Sequence, residues 1–559
     1  MIVPMKHLTL LCVAGESGKA LEALRDLGCV HVDLSRGSSN EFAEAKGELE
    51  RAAEAVRTVQ KVKREAPPKA GTAAVRRTVD DVRRLAAARE KAVSEADELR
   101  RQIALYEPYG DFDPELARSL IARGIDLSKV CELPDPLPKV RLSETKRLLA
   151  EVEAKVVALE AELAATDETW ITARSPELKD RVAFEAARDV LETQGAVSWI
   201  EGWVPVESVP RLRAKAVTKA WGLLLRDPEG DETPPTLIRP PKLFRPVAAL
   251  FAGLGIAPGY TESDVSVPFM CYFSLFFAML VGDGAYGLIF LAATLWGWRK
   301  TKPKEGVGHR PRVVRSWLTL LTVFSSATVV WGLLSNTWFG AGFPFAKDWP
   351  TVKWLADPSY SNMMLLCFTI GVSHLMLARI WSGIQIINDR TCIAQFGWAG
   401  VLLFMYIVTN SIVGIFGGVP QWAFWMFGVS LVMVFGFTLK GSELKSRGIE
   451  LGMLPLNIMS ALGDIISYVR LFAVGLASVK VAENFNSMAT GLVAGADSMA
   501  LKAVMCVAMV AILLVGHGLN LAMAGLSILV HAVRLNTLEF SNHKGVSWAG
   551  YAFSPFRKN

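Results

Sequence analysis

The chain has 559 residues, of which 51% are hydrophobic, with a mean hydropathy of +0.31 and a net charge of +6. The seven cysteines are scattered and form no Cys-x-x-Cys pair, which argues against a disulfide framework and a zinc site and indicates a reduced compartment. Much of the modest positive surplus lies in loops beside apolar segments, so it favours a membrane surface over nucleic acid as the partner.

These averages hide two different halves. Residues 1–245 are rich in Ala, Glu, Lys and Arg and contain no apolar run long enough to cross a bilayer, whereas residues 267–540 are mostly apolar spans separated by short polar loops. We therefore predict a soluble arm over 1–245, a linker over 246–266 and a polytopic membrane domain. The N-terminus has no charged region followed by an apolar core, so we expect no cleaved signal peptide and a cytoplasmic arm.

The arm begins and ends with short α+β patterns. The first predicts strands over 6–14 and 29–34 around a helix near 17–27. The second predicts strands over 197–202 and 222–225 around a helix near 208–219.

Between these lobes, three segments carry apolar residues at heptad-like spacing with charges elsewhere, beginning at Phe42, Val82 and Leu149. Proline breaks at 66–69 and 133–138 let the helices fold back on one another. The pattern predicts an elongated antiparallel coiled-coil arm that carries globular lobes. A spacer without a partner is the alternative, although a long rigid arm on a membrane protein more often docks something.

The membrane half contains several clear apolar spans. They cover residues 316–338, 361–383, 396–416, 421–439, 455–486 and 501–540. An earlier run, 268–298, is interrupted around Gly282-Asp283-Gly284. If this run were one helix, the loop 299–315 would lie outside despite its seven Lys and Arg residues, against the positive-inside rule. A tight hairpin of two short helices satisfies the rule and gives eight spans with both termini cytoplasmic; seven spans is the alternative.

The run 455–479 carries Arg470 in its middle, about fifteen residues from its inner end. A guanidinium does not deprotonate in proteins, and a charge at this depth is costly, so snorkelling does not explain the residue. Apart from Asp464, nothing in the run itself is an obvious fixed partner for this charge. We therefore expect the compensating anion to come from another subunit.

Polar residues follow both of the last two spans at helical spacing, ~100° per residue. The penultimate stripe contains Ser460, Asp464, Ser467 and Ser478, with Arg470 at its edge, and the last contains Asn520, Ser527, His531 and Arg534. Both spans exceed the ~20 residues of a perpendicular crossing, so two long, tilted helices are predicted.

Each of these polar and charged residues also has a plain structural interpretation. Arg534, near a cytoplasmic end, could simply snorkel. His531 and His374 are each typical of helix packing. Lys480 is expected to pair with Glu483.

Asp283 is expected to cap or brace the hairpin. No nucleotide-binding loop, metal-spaced histidine cluster or nucleophile elbow is present in the sequence. Ion translocation is therefore the only chemistry that these residues indicate, and no cofactor is expected.

Four motifs resemble subunit I of the bacterial and archaeal V/A-type ATPases, the homologue of the eukaryotic V-ATPase a-subunit. The most specific is Gly463-Asp-Ile-Ile-Ser-Tyr-Val-Arg-Leu-Phe-Ala-Val-Gly-Leu-Ala477. The others are His531-Ala-Val-Arg534-Leu-Asn-Thr-Leu-Glu539-Phe, Phe273-Ser-Leu-Phe-Phe-Ala-Met-Leu-Val-Gly-Asp-Gly-Ala-Tyr-Gly287 and Ile200-Glu-Gly-Trp-Val-Pro205. The resemblance covers nearly the whole chain.

The resemblance implies an α-helical polytopic membrane protein of about eight spans with an N-terminal cytoplasmic α+β and antiparallel coiled-coil arm. It implies a stator channel subunit without catalytic activity of its own, in a bacterial or archaeal cell membrane. Helices 1–6 would occupy 267–454, and 455–559 would form the ion path and a cytoplasmic tail. The implied partners are the proteolipid ring, peripheral stalk subunits, the central-stalk connector and the bilayer. By resemblance, Arg470 faces the ring and Arg534 is the second arginine.

The sequence departs from the family pattern at two positions. Eukaryotic relatives carry a carboxylate in the last span about ten residues before its arginine, where this chain has Ala524, and another near the position of Leu456. Asp464 is the best substitute on one side of the membrane, and Glu539 with His531 on the other. Ser467 and Ser527 complete the candidate lining of the two half-channels.

Two other classes of function are weighed against this interpretation. A secondary transporter or channel acting alone would show an internal inverted repeat, which the sequence lacks, and would give the arm no role. A purely structural membrane scaffold would leave Arg470 unexplained. The sequence does not distinguish H⁺ from Na⁺, because the selecting site would lie on the ring.

Overall fold

A computed structural model describes residues 1–34, 38–65, 67, 74–123, 134, 136–230, 232–301, 312–341, 360–438, 452–494 and 499–558. The predicted break at 66–69 and the basic loops at 299–315 and 440–447 fall largely outside these residues, and residues 133 and 135 of the predicted break at 133–138 do so as well. The chain forms two compact units. Unit 1 contains Met1–Pro4 and Glu229–Phe553, and unit 2 contains Met5–Pro228 and Ser554–Asn559.

Unit 2 is built on one antiparallel sheet with the strand order β2-β3-β1-β4. The strands are β1 (Met5–Val13), β2 (Glu192–Gln194), β3 (Val197–Pro205) and β4 (Gly222–Arg226). The two predicted α+β patterns therefore contribute to a single sheet rather than to two separate units. Leu8 and Leu10 of β1 are buried against the helices of the same unit.

The strand predicted over 29–34 is wrong. In this segment His31 makes one isolated antiparallel bridge to Trp203. Because β1 already pairs with one side of β3, residues 29–34 can pair only with its other side. They do so at one residue pair, His31 with Trp203. Gly202 permits the crossing, because a Cβ at this position would lie 2.5 Å from the His31 carbonyl oxygen.

The helices of unit 2 include three long ones joined by shorter ones. They are α1 (Ser17–Leu27), α2 (Asn40–Glu65), α3 (Val79–Tyr106), α4 (Pro114–Ala122), α5 (Leu142–Ala164), α6 (Glu168–Ala173), α7 (Ser175–Val190) and α8 (Val209–Lys219). The helix predicted near 17–27 is confirmed. A capping box between Thr78 and Asp81 starts α3.

Helices α3 and α5 lie antiparallel and are joined by ion pairs along their length. Arg89 contacts Glu160 at 2.7 Å, and Arg100 contacts Glu153 at 2.8 Å. Small buried residues such as Ala92 let the helices approach closely. The apolar stripes predicted for these two segments thus lie along a paired helical seam.

Unit 1 consists mainly of apolar helices. They are α9 (Val247–Leu254), α10 (Ser266–Val281), α11 (Gly284–Lys300), α12 (Arg312–Ser335), α13 (Tyr360–Gln385), α14 (Cys392–Ile412), α15 (Gln421–Phe437), α16 (Leu454–Ile466), α17 (Val469–Ala494) and α18 (Met499–Ser527). After α18 the helix continues through π-helical stretches, Ile528–Ala532 and Leu535–Phe540, into α19 (Ser541–Lys544).

Within the described part of the chain, five helices are long and apolar enough to cross a membrane, or six if α10 and α11 form one bent span. Helix α15 is apolar but shorter. The protein is therefore a multi-pass membrane protein, and the predicted total of eight spans stays a prediction.

Helices α10 and α11 meet at a bend of 120° at Gly282 and Asp283, where the sequence predicted a turn. Gly282 has a φ of +68°, a backbone conformation that a residue with a side chain adopts at a cost. The Asp283 carboxylate accepts hydrogen bonds from Ala285 N at 2.8 Å and from Gly340 N at 2.8 Å. Its predicted capping and bracing role is confirmed.

The penultimate span predicted over 455–486 is present as one long apolar span, Leu454–Val493, with a short irregularity between α16 and α17. This break in the regular α-helix falls at Ser467 and Tyr468, and α17 then extends to Ala494. The Tyr468 side chain is buried against α13, where its hydroxyl bonds His374 Nδ1 at 2.9 Å. Gly371 makes room for the ring, since a Cβ there would lie 2.6 Å from it.

The close crossing at Gly202 predicts a steric cost for any side chain at this position. We expect Gly202→Ala to lower the free energy of unfolding of unit 2 by about 1–3 kcal/mol, because the methyl group must displace backbone. The measurement is the denaturant midpoint of the full-length protein in detergent, followed by protease cleavage within residues 5–228. Gly18→Ala is the matched control, because nothing lies within 4 Å of its Cβ position. Equal midpoints for the two variants would contradict the prediction.

Candidate functional site

Polar side chains connect the α16–α17 pair to the last helix at successive levels. Among the described residues these contacts are Asn486–His517, Ser478–Asn520, Arg470–Glu539 and Asp464–His543. In these pairs the residue numbers of the α16–α17 pair rise as those of the last helix fall, so the two run antiparallel. The two polar stripes read from the sequence thus belong to one continuous polar seam.

Arg470 lies in the first turn of α17, directly after the irregularity at Ser467 and Tyr468. Its Nε donates to the carbonyl oxygen of Ser467 at 2.9 Å, and its Nη2 donates to Glu539 Oε1 at 2.9 Å. The Glu539 side chain is 6% exposed, whereas that of Arg470 is 24% exposed. The carboxylate is therefore buried, and part of the guanidinium remains accessible.

A second arginine shares the same carboxylate. Arg534 Nε lies 3.5 Å from Glu539 Oε1, and the Arg534 side chain is 56% exposed. Two guanidinium groups and one carboxylate leave one formal positive charge on this cluster. In addition, Glu539 Oε2 is buried without a hydrogen-bond partner in the described part of the chain.

The structure corrects the expectation that the sequence itself offers Arg470 no fixed anion apart from Asp464. Glu539 supplies an internal carboxylate, and Asp464 bonds His543 instead. Glu539 reaches Arg470 from a π-helical stretch, in which more residues fit into each turn than in an α-helix. A helical wheel at a fixed angle per residue could not place it there.

Asp464 belongs to a second polar cluster, which contains the His543 imidazole and the Arg379 guanidinium. His543 Nε2 lies 3.0 Å from Asp464 Oδ2, and Arg379 Nε donates to His543 Nδ1 at 3.1 Å. Because a guanidinium N–H only donates, His543 Nδ1 must accept, and the proton of the neutral ring is on Nε2. His543 therefore donates to Asp464. Arg379 also bonds Gln395 Oε1 at 3.2 Å.

This cluster borders a cavity of about 600 Å³. Polar side chains of α14, α16 and the end of the last helix line it, among them Gln395, Asn457, Ser460 and Asn542. The Asp464 side chain is 26% exposed. Water of this cavity can therefore reach a carboxylate six residues from Arg470.

The opposite end of the seam is a network of neutral groups. Asn520 Nδ2 donates to the Tyr286 hydroxyl at 3.1 Å, and that hydroxyl lies 2.8 Å from His517 Nδ1. His517 Nε2 lies 3.1 Å from Asn486 Oδ1. One consistent assignment has Tyr286 donating to Nδ1 and Nε2–H donating to the amide oxygen. This network lies within two turns of Ala524, one of the two positions at which the sequence departs from the family pattern that it resembles.

The other residues singled out by the sequence have more local roles. Ser467 Oγ donates to the carbonyl oxygen of Asp464 at 2.6 Å. Ser527 is half-buried where the first π-helical stretch begins. His531 Nδ1 is buried and has no hydrogen-bond partner in the described part of the chain.

Two predictions of plain structural roles are confirmed. His374 is fully buried, stacked between Tyr272 and Phe540. Lys480 pairs with Glu483 at 2.6 Å.

Sequence reasoning missed His543 and Arg379 as members of the polar seam. The last span was expected to end at residue 540, so His543 was counted with the tail. Arg379 lies near the end of α13, where an arginine is ordinarily a snorkelling residue. An unusually long last run followed by His543-Lys544 was the signal that could have extended the helix.

Three of the known proteins that are similar to this chain are described as subunit I of a V-type or an A-type ATP synthase. A V-type ATP synthase subunit I of Borreliella burgdorferi is 33% identical over 401 residues, covering 67% of this chain and 63% of that protein. A V-type ATP synthase subunit I 1 of Treponema pallidum is 29% identical in an alignment that covers 100% of both chains. An A-type ATP synthase subunit I of Methanocaldococcus jannaschii is 25% identical over 76% of this chain and 64% of that protein.

The chain thus spans slightly less than two thirds of the Borreliella and Methanocaldococcus proteins and the full length of the Treponema protein. No family model matches the chain.

The shared carboxylate predicts strong coupling between Glu539 and the two arginines. We expect Glu539→Gln to destabilise the full-length protein by on the order of 2 kcal/mol, because two guanidinium groups then face each other without a counter-charge. Arg534→Gln should cost less, because that side chain is more than half exposed. The measurement is the thermal unfolding midpoint in detergent. The double variant Glu539→Gln, Arg534→Gln should recover part of the stability lost in Glu539→Gln. If the losses of the two single variants simply add, the shared-carboxylate arrangement is contradicted.

Proposed function

Because the chain belongs to the subunit I family of V-type and A-type ATP synthases, we propose that it is the stator channel subunit of a rotary ATPase membrane sector. In this role it provides two half-channels for H⁺ or Na⁺ and does not itself hydrolyse or synthesise ATP. The observation that carries the proposal is the positive charge left on the Arg470, Glu539 and Arg534 cluster, at a site that remains partly accessible.

The cluster explains how each ion-binding carboxylate of a rotating ring would release its ion. Each ring carboxylate crosses lipid in its neutral, ion-loaded form, since moving a bare charge into hydrocarbon is costly. When it approaches Arg470, the opposite charge stabilises its anionic form and the ion is released. The internal carboxylate of Glu539 balances only one of the two guanidinium groups. The second positive charge is then free to interact with the rotating anion.

Glu539 also gives Arg470 a fixed position. A guanidinium held by Ser467 on one side and by Glu539 on the other cannot swing toward each ring site in turn. Its charge therefore acts at one point of the rotation. An arginine suits this position better than a lysine, because a group that never releases its proton cannot relay protons directly between the half-channels.

The two ends of the polar seam are the proposed half-channels. Asp464, with Ser467, would serve the cytoplasmic one, assuming that both chain termini are cytoplasmic. Ser527 and His531 would line the other, continued by the neutral network of Asn520 and Tyr286. These assignments place one half-channel on each side of Arg470 along the last helix.

Unit 2 is the proposed attachment for the peripheral stalks and the central-stalk connector. A stator must resist the torque of a rotor, and a paired helical seam laced by ion pairs is stiffer than a single chain. The pairing of α3 with α5 through Arg89–Glu160 and Arg100–Glu153 fits this demand.

The central test is a substitution of Arg470 in the assembled complex. We expect Arg470→Lys and Arg470→Gln to reduce ATP-driven ion uptake into membrane vesicles at least tenfold, an apparent loss of about 1.4 kcal/mol or more. The measurement is dye-reported uptake together with ATP hydrolysis and co-purification of the other subunits. Lys480→Gln, on the same helix, is the matched control and should pump normally.

Each outcome separates the function classes. Lost uptake with intact assembly would exclude a purely structural scaffold. Normal uptake in both Arg470 variants would remove the basis of the channel proposal. Uptake that persists without ATP and the remaining subunits would instead indicate a transporter acting alone.

The arm is tested by removing the same length from both helices of its seam. Removal of residues 93–99 from α3 and 151–157 from α5 takes one heptad from each helix and shortens the seam by about 10 Å. We expect the peripheral stalk to dissociate more readily during purification and ATP hydrolysis to become uncoupled from uptake. Unchanged stalk retention would contradict the anchoring role of unit 2.

A further inference from the structure

We propose that the cavity beside Asp464 is a proton-access chamber in which Asp464 exchanges protons, and that Arg379 keeps His543 from titrating there. This inference rests on the proposed function and identifies the ion and the exchanging residue of one half-channel. The cavity of about 600 Å³ brings water to a carboxylate that has only a neutral imidazole as its hydrogen-bonding side-chain partner in the described part of the chain.

Arg379 fixes the protonation state of His543 by geometry. Its Nε–H points at Nδ1 of the imidazole across 3.1 Å, so a second proton on Nδ1 would bring two N–H donors face to face. The guanidinium is itself held by Gln395 and lies 5.0 Å over the ring of Trp398, which leaves it little freedom to withdraw. His543 is therefore a positioning residue with a permanent Nε2–H, and it does not itself relay protons.

The neutral partner leaves Asp464 able to gain and lose a proton. A protonated imidazole would form a charged pair with Asp464 and hold it as an anion, as salt bridges do for carboxylates. With a neutral donor, the carboxylate can take a proton from a hydronium ion in the cavity, which becomes water. The resulting carboxylic acid then gives its proton to an empty ring carboxylate and returns to the anion.

The groups at this site suit exchange of H⁺ rather than coordination of Na⁺. Asp464 offers a single carboxylate, and its Oδ2 already accepts a hydrogen bond from His543 Nε2. Among the described residues, no group of three or more His, Cys, Asp or Glu side chains could hold a metal ion, whereas one carboxylate is enough to exchange a proton. Around His543 itself the titratable groups are Asp464 from α16, Arg379 and His374 from α13, and Glu539 on its own helix.

The experiment uses the purified complex in proteoliposomes and measures ATP-driven proton uptake across a pH series, with each value divided by that of the wild type. In Arg379→Gln the amide can accept as well as donate, so His543 becomes free to protonate. We expect the uptake ratio to fall at least tenfold from the alkaline to the acidic end of the series, while Arg379→Lys keeps a flat ratio.

Removing the titrating imidazole should remove the new pH dependence. We therefore expect the Arg379→Gln, His543→Gln double variant to show a flat ratio, since glutamine supplies a neutral donor that does not titrate. His543→Ala should reduce uptake at all pH values, and His543→Gln alone should restore part of it. Arg390→Gln, at an exposed arginine between α13 and α14, is the matched control.

A flat ratio in Arg379→Gln, or the same acid-induced fall in the double variant, would overturn the inference. An uptake that follows added Na⁺ rather than the proton gradient would overturn it as well. Arg470→Gln is measured beside these variants to keep the two proposals separate. If Arg470→Gln still pumps, the proposed function fails; if it is silent while the Arg379→Gln ratio is flat, only the inference about the chamber fails.

Discussion

A permanent positive charge inside an apolar helical bundle is the constraint to which the arrangement of unit 1 responds. Arg470 cannot shed its charge, so the fold has to supply a counter-charge and fixed acceptors at that depth. It supplies Glu539 from the last helix and the Ser467 carbonyl from the break before α17. Glu539 does not neutralise the cluster completely, because its carboxylate also pairs with Arg534.

The backbone irregularities of the two long helices are explained by this requirement. The break between α16 and α17 frees the Ser467 carbonyl for Arg470, and Tyr468 anchors the break by reaching α13. The π-helical stretch of the last helix turns Glu539 inward. Features that look like defects in an ideal helix thus provide the ligands of one guanidinium, as is common for π-bulges at functional sites.

The polar seam changes from neutral side chains at one end to charged side chains at the other. Amide, hydroxyl and imidazole groups meet around Tyr286 and Asn520, and two arginines share a carboxylate near the middle. At the other end, Asp464 meets His543 beside the cavity of about 600 Å³. Buried polar groups of this kind are stable only when each finds a partner. The seam satisfies most of them across helices, which ties the last two spans together.

The sequence predicted the parts of this arrangement that follow from local chemistry. Gly282 and Asp283 predicted a turn, and Lys480 with Glu483 predicted an ion pair at helical spacing. Arg470 predicted a functional charge. Each of these signals is confined to a few neighbouring residues, so it can be read from the sequence. The pairing of Arg470 with Glu539 joins positions 69 residues apart across a π-helical stretch, and no periodic pattern encodes that distance. The same limit hid His543 and Arg379. The strand over 29–34 failed for a related reason: strand formation depends on a free sheet edge, which is a property of the fold.

The π-helical stretches at Ile528–Ala532 and Leu535–Phe540 also bear on how relatives should be compared. A wider turn absorbs an additional residue while leaving the flanking helix in place, so it acts structurally as an insertion that needs no loop. Two homologues that differ in such turns can match letter for letter and still present different residues to the same neighbour. Equivalence at Ala524 and beyond is therefore better judged by which helix a side chain touches than by its column in an alignment. A carboxylate missing at one position can have its counterpart a turn away.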